Sequence, residues 1–573
     1  MKVNRNKVDQ EKEDPHICNA ENTGILCLTV QGYRLHHKIC HYIFMVYFLV
    51  MAVIYPFYAP GGYTRIGEVK YVFFSNVSLI TLAAAGTVVL LAALVSRDRE
   101  WIVKHYRRMS VTDWFAYGYG LAVMVSYLCC DYKETALWGA EGWYMGVMSQ
   151  LMFVLLYFCF SRYFCRPSIR REATGALSGK CLGLWLAAAA GVFLLGICNR
   201  YSFYPIIMEG QTETFISTLG NINWFCGYWS VTAPLGILLY WCSEKRRVRI
   251  LTGIYSLAAM LSGITQGSNS AYLVFIVLFI ALFILSLQGN QKLYRFLELC
   301  MIFMAACQTG KLLQCVPGLS YNYWGSQADA GAGITAGLLT GNAATGAFLI
   351  LLGGYMLLHV LDKHGMFRIE RYRGKCFVGM AAAVGLLFTV ICLRLIDGRV
   401  IYFREVPGTV GQSGYRGLAL DEDWGNGRGA AWTCGADAFR SMDLLHKTVG
   451  VGPDCFADYI YDVQELAQRM ADSFGSARLT NAHNEWLTVL VNTGVLGLLC
   501  YVGIMLTAFV RYLRKAEEQP LLYVFAVTLL AYTAHNMVSF QQVLSTPYLF
   551  IVLGAGEGLR RLCRREDGEG SVA

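Results

Sequence analysis

Charge is what this chain has little of. Only 15% of its 573 residues are Asp, Glu, Lys or Arg, against 55% from the hydrophobic set. A soluble protein of this length carries nearer to about 25% charge and splits into several cores, so that class is excluded. No CxxC…CxxC spacing is present to hold a structural metal. There is no convincing internal repeat and no low-complexity tract. The polar first 40 residues lack the n-region, h-region and cleavage site of a removable signal, so the first apolar block is expected to act as the targeting signal. The 20 cysteines mostly fall inside apolar stretches, where a thiol behaves as a small hydrophobe.

What the chain has is apolar runs of about 17 to 25 residues, each long enough to cross a hydrocarbon core. They fall at roughly 41–58, 72–96, 110–130, 143–164, 181–199, 224–242, 250–267, 271–288, 296–315, 335–361, 376–394, 485–510, 521–539 and 545–558. The fold class expected is an all-α polytopic membrane protein with about 14 transmembrane helices (about 12–14, since two pairs are tight hairpins). Dense basic stretches such as "SRDREWIVKHYRRM", "SEKRRVR" and "RRLCRR" gather on one side of these blocks. The positive-inside rule then places both termini in the cytoplasm. The net charge of +9 is an orientation signal with an attraction for membrane lipids, and requires no nucleic-acid partner.

This orientation divides the chain into a cytoplasmic tail (1–40), a bundle of about 11 helices (41–394), an exported loop (395–484), closing helices (485–558) and a second cytoplasmic tail (559–573). So long a loop is expected to carry function. Within it, "DYIYDVQELAQRMADSF" reads as one amphipathic helix striped by Tyr459, Val463, Leu466 and Met470. A second helical period runs through Trp432, Ala436, Phe439 and Leu444, so the loop is expected to be a small helical cap. Cys434 and Cys455 fall on the exported side and form a candidate disulfide pair.

Two polar residues of this region are candidates for chemistry. His483, beside Trp486 (an anchor of the interfacial kind), is placed at the bilayer rim. Asn481 or Thr480 is expected to cap the helix that follows, and the positive helix end would keep the imidazole neutral, as suits a general base. Arg428 lies between glycines in "GNGRGAAW", where a backbone turn lets the guanidinium grip a phosphate or diphosphate through paired donors. For each, the bland alternative is a solvated interfacial side chain.

The order R-x3-W (Arg428 to Trp432), G-x-G-P-x2-F (Gly450 to Phe456) and A-H-N-x2-L-x3-V-x2-G-x2-G-L (Ala482 to Leu498) resembles the O-antigen ligase and polymerase superfamily. The resemblance is specific from Arg428 to Leu499, and the helix layout agrees elsewhere. It implies a C-type membrane glycosyltransferase, independent of metal and cofactor, in the bacterial cytoplasmic membrane. Its donor would be a glycan on undecaprenyl diphosphate, and its acceptor a glycan, lipid or cell-wall group at the exported face. His483 would activate the acceptor hydroxyl and Arg428 would hold the diphosphate.

This sequence departs from the family at the tight exported turn where many members carry Ser-Arg-Gly. Here it reads Ser268, Asn269, Ser270. Asn269 can bond a phosphate but adds no charge, so the second cation is sought in Lys311, with Arg394 and Arg404 as further candidates. Asn484 and His535, the latter repeating the His-Asn pair in "AYTAHNMVSF", are candidate cavity-lining residues. Asp421 and Asp423 form a D-x-D pair of metal-binding type, more simply read as a solvated acidic turn. The rival function is a transporter or flippase of lipid-linked oligosaccharides, which would cluster its charges at the midplane and in repeated halves.

Overall fold

The computed structural model describes residues 23–95, 109–165, 173–212, 214–321, 330–383, 385–386, 389, 424–475 and 478–569. In chain order the helices are α1 (Thr23–Leu49), α2 (Ile66–Val95), α3 (Val111–Cys129), α4 (Lys133–Trp138), α5 (Val147–Cys159), α6 (Ala173–Arg200), α7 (Ile222–Cys242), α8 (Arg246–Thr265), α9 (Asn269–Ser286) and α10 (Asn290–Leu313). There follow α11 (Ala330–Thr340), α12 (Ala343–Lys363), α13 (Trp424–Ser441), α14 (Leu444–Val449), α15 (Phe456–Asp462), α16 (Gln464–Phe474), α17 (Glu485–Lys515), α18 (Leu521–His535) and α19 (Thr546–Glu569). The strands among the described residues are the two-residue pair Phe215–Ile216 and Gly220–Asn221.

Nine helices among the described residues are long and apolar enough to cross a membrane, so the chain is an all-α polytopic membrane protein. Helices Val111–Cys129, Ile222–Cys242, Leu521–His535 and Thr546–Glu569 also occupy the predicted blocks at 110–130, 224–242, 521–539 and 545–558. The number of about 14 spans is not fixed by these helices. The block at 335–361 is split into α11 and α12 at Gly341 and Asn342, and most of the block at 376–394 lies outside the described residues.

Apolar content alone does not decide which helices are central. The second span, Ile66–Leu94, is among the most hydrophobic, yet little of it is buried, and Ile80, Leu90 and Leu94 point outward. Such a face belongs against lipid tails. By contrast α7 is buried from Phe225 to Leu238, apolar all round, as a helix enclosed by others must be. Its Tyr228 meets Tyr548, which stacks on Trp185, and its Trp229 meets Phe275 edge-on.

The segment read as an exported loop is, where described, a set of short helices, a cap with its own core of Cys434, Ala438, Met442, Phe456, Ile460, Leu466 and Met470. Two details differ. The predicted single amphipathic helix is broken at Val463 into α15 and α16, and Leu444 stands 81% exposed at the start of α14 instead of joining the packed stripe. The cap core runs directly into Cys130 and Ala136 at the end of α3 and in α4, which anchors it to the bundle.

Candidate functional site

The glycines of the motif region lock the cap onto a broken helix. Gly494 adopts φ 66° and ψ −172° inside α17, so that helix is two segments meeting at a kink. The kink frees carbonyls that a straight helix would consume. Val451 N–H donates to the Val491 carbonyl at 3.1 Å, and Gly452 N–H to the Asn492 carbonyl at 3.0 Å, which also accepts from the Ser126 hydroxyl at 2.7 Å. Gly450 and Gly452 themselves take φ of 82° and 121°. A side chain on Gly450 would strike the Asn492 backbone, and one on Gly494 the Thr448 backbone. Glycine is required at both positions by conformation and by space together.

Asp454 completes this joint. It sits at φ 63°, and its carboxylate accepts from the backbone N–H groups of Ala140 at 2.7 Å and Met145 at 2.9 Å. Burial pushes its carboxyl up to about 7, against the pull of those two donors.

His483 stands at the mouth of the broken helix. Its backbone is left-handed, φ 48°, held by an Asx turn in which His483 N–H donates to Asn481 Oδ1 at 3.0 Å. The cap of α17 is therefore neither Asn481 nor Thr480. It is Asn484, whose Oδ1 accepts from Leu487 N–H at 3.0 Å while its Nδ2 donates to the Met537 carbonyl at 3.1 Å. Asn481 is engaged in turning the chain, which leaves the cap to the residue after the histidine. The His483 ring is half-buried and set edge-on to Phe540 at 5.1 Å. Burial and then the Arg428 charge hold its imidazole down at about 4, so the ring is neutral as expected, for a different dominant reason than the helix end.

Arg428 reaches the same place from the cap. Gly427, at φ 82°, supplies the turn, while the residues after it are helical. Arg428 Nε donates to the Val538 carbonyl at 3.2 Å, joining the arginine to the loop between α18 and α19. At the end of α18, His535 is buried and its Nδ1 lies 3.0 Å from the Ser270 hydroxyl, in the first turn of α9. Ser270 in turn bonds Ser268, and Ser268 bonds Asn223. Thus the Ser268-Asn269-Ser270 turn meets His535, at the head of the loop whose Val538 carbonyl holds Arg428, and Asn269, half-buried, stands at the start of α9.

Lys311 is directed elsewhere: its Nζ donates to Asn342 Oδ1 at 2.8 Å, between α10 and α12. Arg394, Arg404, Asp421 and Asp423 lie outside the described residues. Sequence reasoning missed two groups. Arg200, the last residue of α6 and 3% exposed, donates from Nε to the Thr265 carbonyl at 2.9 Å and lies over the Tyr321 ring. Its terminal nitrogen sits 3.0 Å from where a side chain on Gly267 would begin, at the same turn as Ser268. Glu485 is the other: fully buried at the start of α17, it accepts from Tyr501, Tyr532 and Asn536 side chains. Its signal was the acid directly after Asn484. Arg200 left no signal, because its neighbours in the turn are 65 residues away.

Around Glu485 runs a narrow cavity with room for about one water, lined by Trp143, Gln150, Asp454, Asn481, Phe540 and Gln541, among others. The loop after α18 adds buried polar atoms that take no hydrogen bond: His535 Nε2, Asn536 Oδ1, Ser539 Oγ and both Gln542 amide atoms. Such atoms cost free energy unless water or ligand reaches them.

Fold and site together define a multi-pass membrane protein whose polar chemistry is concentrated at one end of its bundle. Residues 330–502 match the family model described as O-antigen ligase, which bears out the resemblance to the O-antigen ligase and polymerase superfamily for this segment. The match takes in Arg428, the Gly450–Phe456 loop and His483, and leaves out Arg200, the Ser268–Ser270 turn and His535. It supports an O-antigen ligase- or polymerase-like function, of the glycosyltransferase-like enzyme class, with lipid-linked glycan and acceptor as the partners the family implies. No curated protein matches the chain.

Proposed function

We propose that the protein is a metal-independent membrane glycosyltransferase. It moves or polymerises a glycan from an undecaprenyl-diphosphate carrier onto an acceptor hydroxyl at the outer face of the bacterial cytoplasmic membrane, with both its termini in the cytoplasm. The observation that carries this reading is the half-buried His483 imidazole and the half-buried Arg428 guanidinium brought together at the mouth of a broken span. His483 takes the proton of the acceptor hydroxyl as its oxygen attacks the anomeric carbon. The bond from that carbon to the diphosphate oxygen breaks, and the electron pair leaves with the diphosphate.

A base held at about 4 in the free protein is a weak one. A bound diphosphate brings roughly two negative charges beside it and offsets Arg428, which raises the affinity of the ring for the proton at the step that needs it. Arg428 grips the leaving group, where charge stabilisation makes the largest demand. Among the described residues, Arg200 and Lys311 are the candidates to share that load, and Asn269, Asn484 and His535 stand at the start of α9, the start of α17 and the end of α18. Apolar helices flanking the mouth admit the polyprenyl tail from the lipid side.

The test is reconstitution of the purified protein in lipid discs with a lipid-linked glycan donor and an acceptor. Release of free undecaprenyl diphosphate that depends on the acceptor, and its loss in His483→Ala, is the expected result. Glycan that crosses a vesicle membrane still attached to its carrier, with no diphosphate released, would replace this reading by the flippase.

A further inference from the structure

Two thiols meet where the cap joins the bundle. Cys130 closes α3 and Cys455 precedes α15, and their sulfurs lie 3.9 Å apart, both buried. The partner expected for Cys455 from the sequence, Cys434, instead directs its thiol to the Leu466 carbonyl at 3.7 Å, inside the cap core. The surroundings of the Cys130 and Cys455 pair are built around sulfur. Tyr132 N–H donates to Cys130 Sγ at 3.1 Å, and a side chain on Gly452 would begin 2.9 Å from Cys455 Sγ. The glycine at 452, at φ 121°, therefore serves the pair as well as the backbone turn.

We propose that Cys130 and Cys455 form a disulfide in the mature protein, fastening the cap to the end of α3. The contact is a van der Waals one, and rotation about the Cα–Cβ bonds with a small backbone shift brings two sulfurs at this separation to bonding distance. The reaction is thiol–disulfide exchange with a disulfide-bearing oxidant of the extracytoplasmic compartment. One thiolate attacks a sulfur of the oxidant's disulfide and expels one oxidant thiolate. The second thiolate then attacks the mixed disulfide and expels the other, so two electrons and two protons pass to the oxidant. Exchange takes place while the cap is docking, before the pair is buried. The closed bond then fixes Gly452, Pro453 and Asp454, the stretch that docks onto the broken helix and walls the cavity beside Glu485. The proposal rests on the sidedness given above, because an oxidising compartment is needed.

Cells expressing the full chain are quenched in acid to stop thiol exchange, the protein is denatured in N-ethylmaleimide so that buried thiols react, and it is digested without reduction. The expected product is one linked peptide pair containing Cys130 and Cys455, lost in Cys130→Ser, in which Cys455 becomes labelled, and unchanged in Cys434→Ser. Both cysteines carrying maleimide in the wild-type chain would overturn the proposal. A second arm separates the causes of such a failure. Leu444→Cys, on the exposed start of α14, is labelled with a membrane-impermeant maleimide in spheroplasts. Labelling there with Cys130 and Cys455 still free refutes the disulfide alone, whereas labelling only after lysis refutes the sidedness and the disulfide with it.

Discussion

The two ends of α17 are held together in opposite ways. At its C-terminal end the buried carboxylates are matched by arginines. Asp113 accepts from Ser110 N–H at 2.7 Å and from the Tyr157 hydroxyl at 2.8 Å, and pairs with Arg561 and, at 3.6 Å, Arg162. Glu557, fully buried, takes Arg560 at 2.8 Å, Arg561 at 3.3 Å and Arg511 at 3.4 Å. At its N-terminal end the backbone is kinked, six residues of the site and joint (Gly427, Gly450, Gly452, Asp454, His483 and Gly494) are left-handed, and several buried polar atoms have no partner. Paired charges rigidify but are unavailable to a ligand, whereas unfilled polar atoms and strained turns are a cost that only binding or reaction offsets. One end reads as scaffold and the other as site.

The sharpest break of this contrast is at His483. His483→Ala is expected to lower glycan transfer by about 10²–10⁴-fold with membrane abundance unchanged, since general-base catalysis is worth about that much. Near wild-type transfer from purified donor would refute the assignment. Arg428→Lys should fall comparably, because a point charge does not reproduce a paired grip. The pH profile gives an independent check. An imidazole held at about 4 is neutral throughout the physiological range, so kcat/KM should be flat with respect to this group from about pH 5 upward and decline as pH falls toward 4. An inflection near the ordinary histidine value would mean that the ring is not shielded as described.

The same lesion at the other end should strike stability and spare chemistry. Glu557→Ala leaves three arginines facing a buried vacancy and is expected to cost about 3–5 kcal/mol. Measured per folded molecule, transfer should remain within about twofold, a difference of roughly 0.4 kcal/mol. A tenfold loss of turnover in properly folded Glu557→Ala would erase the distinction between scaffold and site. Between these extremes lies Gly494→Ala, which combines a left-handed backbone with a clash against the Thr448 backbone. About 1–3 kcal/mol of destabilisation is expected, together with faster proteolysis of the cap.

Much of this was legible in the sequence because a bilayer imposes a strong pattern. Apolar length located the helices, and three short motifs in fixed order located His483 and Arg428. The helix cap was misplaced, since Thr480, Asn481 and Asn484 are equivalent by residue type and only the Asx turn at His483 distinguishes them. The breaks at Val463 and at Gly341-Asn342 were invisible to periodicity, which runs across them in register. The thiol that lies against Cys455 was missed for a related reason: Cys130 is 325 residues from Cys455 and looks like the end of an ordinary apolar helix. Arg200 was hidden likewise, because a contact between the ends of two helices leaves no trace in local composition.

The smallest of the expected effects concerns which cation assists Arg428. Lys311 was the natural choice from the sequence, standing near the end of α10, yet its ammonium is only half-buried and bonded to Asn342. Arg200 is nearly fully buried at the turn that Ser270 connects to His535, and a charge counts for more where water is excluded. Removing it outright would also take one of two donors, the other being the Tyr321 hydroxyl, from the Thr265 carbonyl at the end of α8, so the informative variant is Arg200→Gln, which keeps an N–H donor and loses the charge. Donor affinity should weaken by about tenfold in Arg200→Gln, roughly 1.4 kcal/mol, and by less than about threefold in Lys311→Met, which retains most of the stem's volume. Binding of a lipid diphosphate carrier to both variants, measured in lipid discs, decides between them. Should Lys311→Met lose more than Arg200→Gln, the diphosphate lies toward α12, and the turn at Ser268 to Ser270 serves the glycan instead.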